Sequence, residues 1–303
     1  MRATVSILIL LVFALRVEAQ TYGYSVASGN FEAEANQLVK INLEDGTFEA
    51  LGYMGDTYSF IEGLAFSPDG KLFGADDSTK TLIRIVPDSG SIFPVRNVQQ
   101  NLGFGNDPSQ FDFGLSFSCD NNLYMVTKSN QGFYRVNPET GISTLIGNTG
   151  MSFTALAAWG DELYAIASGA NNLYKINRDT GVVSVVGALG SLGAGGVELT
   201  NAGLSFDDSG QLWMLMDLRL SDPLNPFPSR VFKIDSQSGA ATMVSETLVG
   251  VESLAIAPPG GCGNGPIGGP VVRMVPVNNP AALFVIFLLV LSSAFYFRRN
   301  KAF

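Results

Sequence analysis

One segment of about fifteen residues recurs five times in this chain, and this repeat constrains the fold more than any other feature. Each copy has an apolar pair, a base, an aliphatic residue and, five residues further on, a glycine. The bases are Lys40, Arg84, Arg135, Lys175 and Lys233, and the glycines are Gly46, Gly90, Gly141, Gly181 and Gly239. Each copy reads as a strand, a tight turn in which glycine supplies positive φ, and a second strand. Five in-register copies predict a repeat architecture.

A second repeated unit precedes four of these hairpins. Its copies begin at Gly63, Gly114, Ala155 and Gly203, and each is an alternating strand, a polar turn and another strand. A full unit therefore holds four strands, A to D in chain order, and the units follow one another at intervals of about 40 to 58 residues. Four-stranded sheets at this period are typical of β-propeller blades.

The two ends of the repeat region complete one further blade. The chain from Thr21 aligns with strands B, C and D, and the segment from Glu252 is a lone A strand. Joining them closes the ring and removes its open sheet edges. We therefore predict an all-β, five-bladed propeller over residues 20–258. A β-sandwich, the main alternative, does not explain five in-register copies.

Three short motifs carry a resemblance to known proteins. The Gly-Leu-x-Phe strand, the Asp-Gly turn and the Asn-x-x-Thr-Gly turn (residues 137–141 and 177–181) resemble those of exported propellers of the NHL, YVTN and quinoprotein-like kind. The resemblance covers most of the region between the chain ends. It implies a fold and no particular activity, because propellers host hydrolases, dehydrogenases and binding scaffolds alike.

The terminal segments predict export and a membrane anchor. Residues 1–19 have the charged, apolar and small-residue layout of a signal peptide, with cleavage before Gln20. Residues 259–280 form a Gly/Pro-rich linker, and the uncharged run 281–297 is at the short limit for a transmembrane helix. The basic tail 298–303 is expected to stay cytoplasmic, which places the propeller outside.

The C-terminal tail also resembles a bacterial sorting signal. Residues 275–280 (VPVNNP), the apolar run and the basic cluster are similar to tails of the PEP-CTERM and IPTL-CTERM type. That resemblance implies processing by an exosortase-like transpeptidase and a cell-surface location. The chain lacks both the Pro-Glu-Pro and the Ile-Pro-Thr-Leu motif, so a plain single-pass anchor remains the alternative.

Charge and composition exclude several kinds of function. The net charge is −9 and histidine is absent, so we expect no binding of nucleic acid. Without histidine the chain has no Ser-His or thiol-histidine pair, and we assign no catalytic residue. The only cysteines are Cys119 and Cys262, too few for a zinc site. In an exported protein they predict one disulfide, between an A–B turn and the segment after the last A strand.

Long loops that interrupt the repeat are the candidate binding surface. In a propeller the D–A and B–C connections share one face, called the top here. The long top loops cover residues 95–113, 187–201 and 217–229, and long loops on a rigid scaffold usually carry binding. Their acidic and aromatic residues predicted to contact a ligand are Asp107, Phe111, Asp217, Asp222 and Phe227. The five repeated bases are interpreted as structural, with stems packed between blades.

The starts of the A strands predict a cation site at the mouth of the central channel. Glu62, Asp112, Asn201 and Glu252 lie where innermost strands begin, so their side chains should converge near the axis. Converging carboxylates repel one another unless a cation, a proton or water intervenes. Oxygen ligands of this kind favour Ca²⁺.

Together these features predict a membrane- or surface-anchored propeller that acts as a binding module through its acidic top face. The expected partners are another surface protein, an extracellular polysaccharide or a small solute. The alternative is a calcium-dependent hydrolase of the lactonase type that uses the channel carboxylates.

Overall fold

The structure is a computed structural model that describes residues 20–27, 36–105, 107, 109, 111–192, 199, 201–217 and 227–262. By its contacts the chain divides into two units, Met1–Gly263 and Asn264–Phe303, and the second unit lies wholly outside the described residues. The predicted signal peptide, the transmembrane run and the sorting-type tail also lie outside them. Among the described residues, no helix has the length and apolar character needed to cross a membrane.

The described chain is built from nineteen antiparallel strands in five sheets. The first sheet holds β1 (Tyr22–Ala27), β2 (Gln37–Asn42) and β3 (Phe48–Tyr53). The second holds β4 (Ile61–Phe66), β5 (Leu72–Asp76), β6 (Thr81–Ile85) and β7 (Ile92–Pro94). The third holds β8 (Phe113–Phe117), β9 (Leu123–Thr127), β10 (Gly132–Val136) and β11 (Ser143–Asn148). The fourth holds β12 (Phe153–Trp159), β13 (Glu162–Ala167), β14 (Asn172–Ile176) and β15 (Val183–Ala188), and the fifth β16 (Asn201–Phe206), β17 (Leu212–Asp217), β18 (Arg230–Ile234) and β19 (Ala241–Glu246).

The first sheet gains its innermost strand from the far end of the propeller. The amide of Tyr24 donates to the carbonyl of Ala255 at 2.8 Å, and the amide of Ala255 donates back at 2.9 Å. A second antiparallel bridge joins Ala27 to Val251. Residues 251–256 therefore act as the A strand of the blade that β1 to β3 complete. The all-β, five-bladed propeller is confirmed.

The core lies between neighbouring blades, where the apolar faces of adjacent sheets pack against each other. The A strands approach so closely near the axis that some positions admit no side chain. A Cβ added to Gly203 would lie 2.3 Å from the backbone nitrogen of Leu254. The glycine in the repeated Gly-Leu-x-Phe motif thus permits two innermost strands to meet.

In each blade the repeated base on strand C lies opposite an aromatic residue of strand B on one side and a residue of strand D on the other. We call these three residues a row. Arg84 lies over the ring of Phe73 at 5.8 Å, Lys175 over Tyr164 at 4.9 Å and Lys233 over Trp213 at 4.6 Å. Such cation–π contacts add a modest stabilisation at exposed sites. The third member of each row, on strand D, is Glu49, Phe93, Thr144, Ser184 or Thr242. Four of the five are polar, and Phe93 is the exception.

A disulfide joins the propeller to the segment that follows its last strand. Cys119 lies in the turn between β8 and β9 and is bonded to Cys262, with their Cα atoms 4.9 Å apart. The bond links residues 143 positions apart in the sequence. It therefore ties the end of the described chain to the third blade.

Candidate cation-binding site

Two β-bulges turn polar side chains toward the axis at the top of the propeller. In the pairing of β4 with β5, Ile61 pairs with Asp76 and Gly63 with Ala75, so Glu62 is an extra residue. In the pairing of β12 with β13, Thr154 is the extra residue in the same way. A bulge re-aims the side chain of the inserted residue. Glu62 and Thr154 line the same small cavity, of about 10 Å³, at the channel mouth.

Asp112, Asn201 and Glu252 lie at the same end of the channel and are held together by one lysine and one amide. Nζ of Lys128, which follows β9, lies 2.5 Å from Oδ2 of Asp112. The same ammonium donates to Oδ1 of Asn201 at 3.5 Å. Nδ2 of Asn201 in turn donates to Oε2 of Glu252 at 2.7 Å. The protein thus supplies a cation and an amide where the sequence predicts repulsion between acids.

A further carboxylate reaches the cluster from the end of β5. Ligand oxygens of Glu62, Asp77 and Asp112 all lie within 4.8 Å of one another. Asp77 is buried, accepts a hydrogen bond from the amide of Phe111 at 2.9 Å and pairs with Lys80 at 2.7 Å. Lys80 is itself buried and also donates to the carbonyl of Ser109 at 2.7 Å. These contacts fix Asp77 rigidly beside Glu62.

The carboxyl of Glu62 combines a strongly raised pKa with one buried oxygen that has no partner. Burial, followed by the charges of Asp112, Glu252 and Asp77 and by a side-chain hydrogen bond with Asp112, raises the pKa of Glu62 to about 10. Its Oε2 is buried and has no hydrogen-bond partner, and the same holds for Oγ1 of Thr154, which is only 4% exposed. Buried polar atoms normally have partners, so two unpaired oxygens at one cavity mark it as a candidate ligand site.

The charges of the cluster are complementary to a divalent cation. Four carboxylates (Glu62, Asp77, Asp112 and Glu252) stand against two ammonium groups (Lys80 and Lys128). Two negative charges remain when every group is ionised. Oxygen ligands from carboxylates and a hydroxyl suit Ca²⁺, which accepts six to eight oxygens in flexible geometry. The residues present therefore fit a calcium ion, with solvent completing its coordination.

The structure brings the four residues predicted for a metal site to the same end of the channel, and beside them lie three residues that the sequence analysis missed. These are Asp77, Lys128 and Thr154. Asp77 and Lys128 each follow a B strand, and strand B lies next to strand A in every blade. The expectation that innermost strands bring their ends together near the axis extends to the neighbouring B strands, and it would have identified Asp77 and Lys128. Thr154 occupies the repeat position of Glu62, one residue before the aligned Gly63 and Ala155.

The five residues predicted to contact a ligand from the top loops are placed differently from one another. Asp107 and Phe227 are exposed. Phe111 is 2% exposed and stacks on Phe113 with ring centroids 5.7 Å apart, so its ring belongs to the core. Asp217 is buried at the end of β17. Asp222 lies outside the described residues.

Fold and site together define a five-bladed β-propeller with an acidic cluster at one end of its axis. No protein-family model and no curated protein matches the sequence. Among solved structures, a virginiamycin B lyase from Staphylococcus aureus is similar at 14% identity and a TM-score of 0.42, over 74% of this chain and 70% of that one. A nidogen/laminin complex gives 13% identity and 0.49, over 78% and 98%. A protein of unknown function from Bacteroides caccae gives 12% and 0.47, over 79% and 100%.

Proposed function

We propose that this protein is a binding module that holds a calcium ion at the top of its propeller and presents it to a ligand. One observation carries the proposal. The carboxyl of Glu62 is buried beside three other carboxylates, and its Oε2 has no partner. A buried polar group without a partner is costly, so an arrangement of this kind is expected where a ligand supplies the partner.

Residues of this chain would hold the ion in a defined way. Glu62 would give up its proton, and Asp77 and Asp112 would supply further oxygens, since ligand oxygens of these three residues lie within 4.8 Å of one another. Lys128 would leave Asp112, because an ammonium group and a divalent ion at the same carboxylate repel each other. With a side chain 30% exposed, Lys128 has room to move toward solvent. When bound, the ion supplies positive charge and open coordination positions at the surface.

The ligand that completes such a site is rich in oxygen. A sugar hydroxyl pair, a carboxylate of a partner protein or a small anionic solute offers the hard oxygen atoms that calcium accepts. Asp107 and Phe227 belong to loops of the same face and are exposed for contact with it. Export and anchoring of the chain, as its terminal segments predict, would set this face among extracellular partners.

A thermal-shift titration tests the proposal. The full chain is treated with EGTA and then with CaCl₂ or MgCl₂, because an ion that binds only the folded state raises the melting temperature by mass action. We expect CaCl₂ to stabilise the protein, Glu62→Gln to abolish the effect, and Asp179→Asn, at an exposed turn of the fourth blade, to leave it intact. An equal rise in melting temperature on addition of CaCl₂ in the native protein, Glu62→Gln and Asp179→Asn would contradict a site at Glu62.

The raised pKa of Glu62 favours one second candidate. A carboxyl whose pKa is raised by burial and by neighbouring carboxyl groups is the kind of group used for general acid catalysis. A calcium-dependent hydrolase of the lactonase type therefore stays the alternative. Hydrolysis of a lactone panel that stops with EGTA and with Glu62→Gln would favour it, and unchanged lactones under calcium-loaded conditions would favour the binding module.

A further inference from the structure

A groove on the outer side of the second and third blades departs from the repeat in three ways. It has a volume of about 430 Å³, in the range of small-molecule sites. Buried side chains of Phe73, Ile85 and Val95 contribute to its lining. Lys71, Arg84 and Arg96 bring positive charge, and Glu139 is the one acid among the lining residues. In a chain of net charge −9, this concentration of bases is unusual.

The first departure is the outer strand. The outermost strands β3, β11, β15 and β19 have six residues each, whereas β7 has three and stops at Pro94. The side chain of Asn101 replaces the lost pairing. Its Oδ1 accepts from the amide of Leu82 at 2.7 Å, and its Nδ2 donates to the carbonyl of Leu82 at 3.0 Å. The backbone amide and carbonyl of Leu82 are therefore satisfied although β7 ends early.

The second departure is an exposed aromatic ring. Phe93 is 53% exposed and pairs across the strands with Arg84, at the row position that carries Glu49, Thr144, Ser184 and Thr242 in the other blades. On its other side Arg84 lies over the ring of Phe73. The guanidinium thus lies in a row between two aromatic residues, one buried and one open to solvent. A ligand with an apolar face would cover the open ring.

The third departure is backbone strain at a charged residue. Arg96 and Asn97 have φ values of 57° and 55°, two consecutive left-handed residues without glycine. This conformation is unfavourable for residues with a Cβ, and strain of this kind clusters at ligand sites. Both residues line the groove and are exposed. Among the described residues, no carboxylate pairs with Arg84 or Arg96, whereas Lys71 already pairs with Asp69 at 2.6 Å.

We propose that this groove binds a small organic carboxylate that carries a ring, with the carboxylate on Arg84 and Arg96 and the ring on Phe93. Guanidinium groups bind carboxylates through two parallel hydrogen bonds. A peptide added as an extra strand is disfavoured because Pro94 on the edge strand has no N–H to donate. A long polyanion is disfavoured by the net charge of the protein. The site is separate from the calcium site and opposite to it in charge.

Calorimetric titration of the full chain, in EGTA, tests this proposal. The probes are sodium glucuronate and sodium benzoate, which distinguish a sugar acid from an aromatic acid. Methyl glucoside and benzyl alcohol are their neutral counterparts, and acetate lacks the ring. We expect one or both of the ring-bearing carboxylates to bind about tenfold or more tightly than the neutral compounds and acetate, as loss of a charge-assisted pair or of a stacked ring implies.

Four variants separate binding from folding. Arg96→Gly removes the guanidinium and relieves the strain, so it should keep or raise the melting temperature while weakening binding about tenfold or more. Asn97→Gly relieves the same strain but retains Arg96, so binding should persist. Phe93→Thr, which installs the residue found at this position in two other blades, should also weaken binding. Arg135→Gln, the equivalent base of the next blade, should not.

Two sets of results would overturn the proposal. One is absence of binding by both ring-bearing carboxylates, or equal binding by acetate. The other is an affinity that Arg96→Gly and Phe93→Thr leave unchanged. Because the titration contains EGTA, and because Glu62→Gln should not alter its result, failure here is distinguishable from failure of the calcium site.

Discussion

Nζ of Lys128 lies 2.5 Å from Oδ2 of Asp112, so the propeller carries its own cation at the mouth of its channel. That ammonium also contacts Asn201, whose amide donates to Glu252. Only Glu62 and Thr154 keep buried oxygens without a partner at this cavity. Among the described residues of the cluster, Asp112 and Glu252 thus have polar partners, whereas one buried oxygen each of Glu62 and Thr154 has none.

Removing the ionisable carboxyl of Glu62 should change how stability depends on pH. The folded pKa of about 10 exceeds the ordinary value of 4.5, so the folded state retains a proton that the unfolded chain loses between these values. The contribution of Glu62 to stability is fully present below pH 4.5 and falls as pH rises toward 10. Glu62→Gln should therefore melt higher than the native protein at pH 9, with a smaller difference at pH 5. Calorimetric melting in EGTA at both pH values measures this.

If the melting temperatures of the native protein and of Glu62→Gln changed with pH in the same way, Glu62 would not be buried and protonated in the folded state. Asp179→Asn serves as the control, because that carboxylate is exposed in a turn and should leave the profile unchanged.

Replacing Lys128 with methionine should strengthen calcium binding. The variant keeps most of the side-chain length but removes the positive charge that competes for Asp112. Two charges a few ångströms apart near a protein surface interact by several kcal/mol, so we expect an affinity gain of at least about tenfold. A calcium electrode titration of both proteins provides the measurement. An unchanged or weaker affinity would show that Lys128 does not compete with the ion.

Closure of the ring should depend on the backbone hydrogen bonds between Tyr24 and Ala255. Ala255→Pro removes the donor to Tyr24 and places a ring at a buried pairing position, which should cost about 3 kcal/mol or more. Ala255→Gly keeps the N–H and should cost only about 1 kcal/mol. Urea unfolding followed by circular dichroism compares them. Equal stabilities would mean that the two chain ends do not hold the fifth blade together.

The disulfide should stabilise the propeller substantially. Cys119 and Cys262 are 143 residues apart, and closing a loop of that length restricts the unfolded chain by roughly 2–5 kcal/mol. The double variant Cys119→Ser/Cys262→Ser should lose this amount in urea unfolding and keep a native-like β spectrum. Peptide mapping without reductant checks the bond itself, and two alkylatable thiols in the folded protein would contradict it.

The blades were predictable from the sequence because each of them repeats the same strand, turn and base positions. Closure followed from the unpaired A strand near Glu252, and the convergence of Glu62, Asp112, Asn201 and Glu252 followed from the position of the A strands. The bulges at Glu62 and Thr154 were not predictable, since an inserted residue changes the pairing and leaves no mark in the repeat. For this reason the sequence did not show which of the four side chains lines the cavity.

The top loops show where sequence reasoning was weakest. Phe111 was predicted to contact a ligand because it lies in an insertion with several acids. In the structure Phe111 packs with Phe104 and Phe113 in the core between the second and third blades. An aromatic residue in a long loop serves a core or a surface equally well, and only its neighbours in space decide which.

We propose that the acidic cluster takes up a calcium ion at Glu62 in exchange for the proton of that carboxyl. Isothermal titration with CaCl₂ at pH 7, in two buffers of different ionisation enthalpy, measures both the binding and the number of protons released. We expect one ion bound per chain and close to one proton released per ion, with both lost in Glu62→Gln. No heat of binding, or binding without proton release that survives Glu62→Gln, would contradict it.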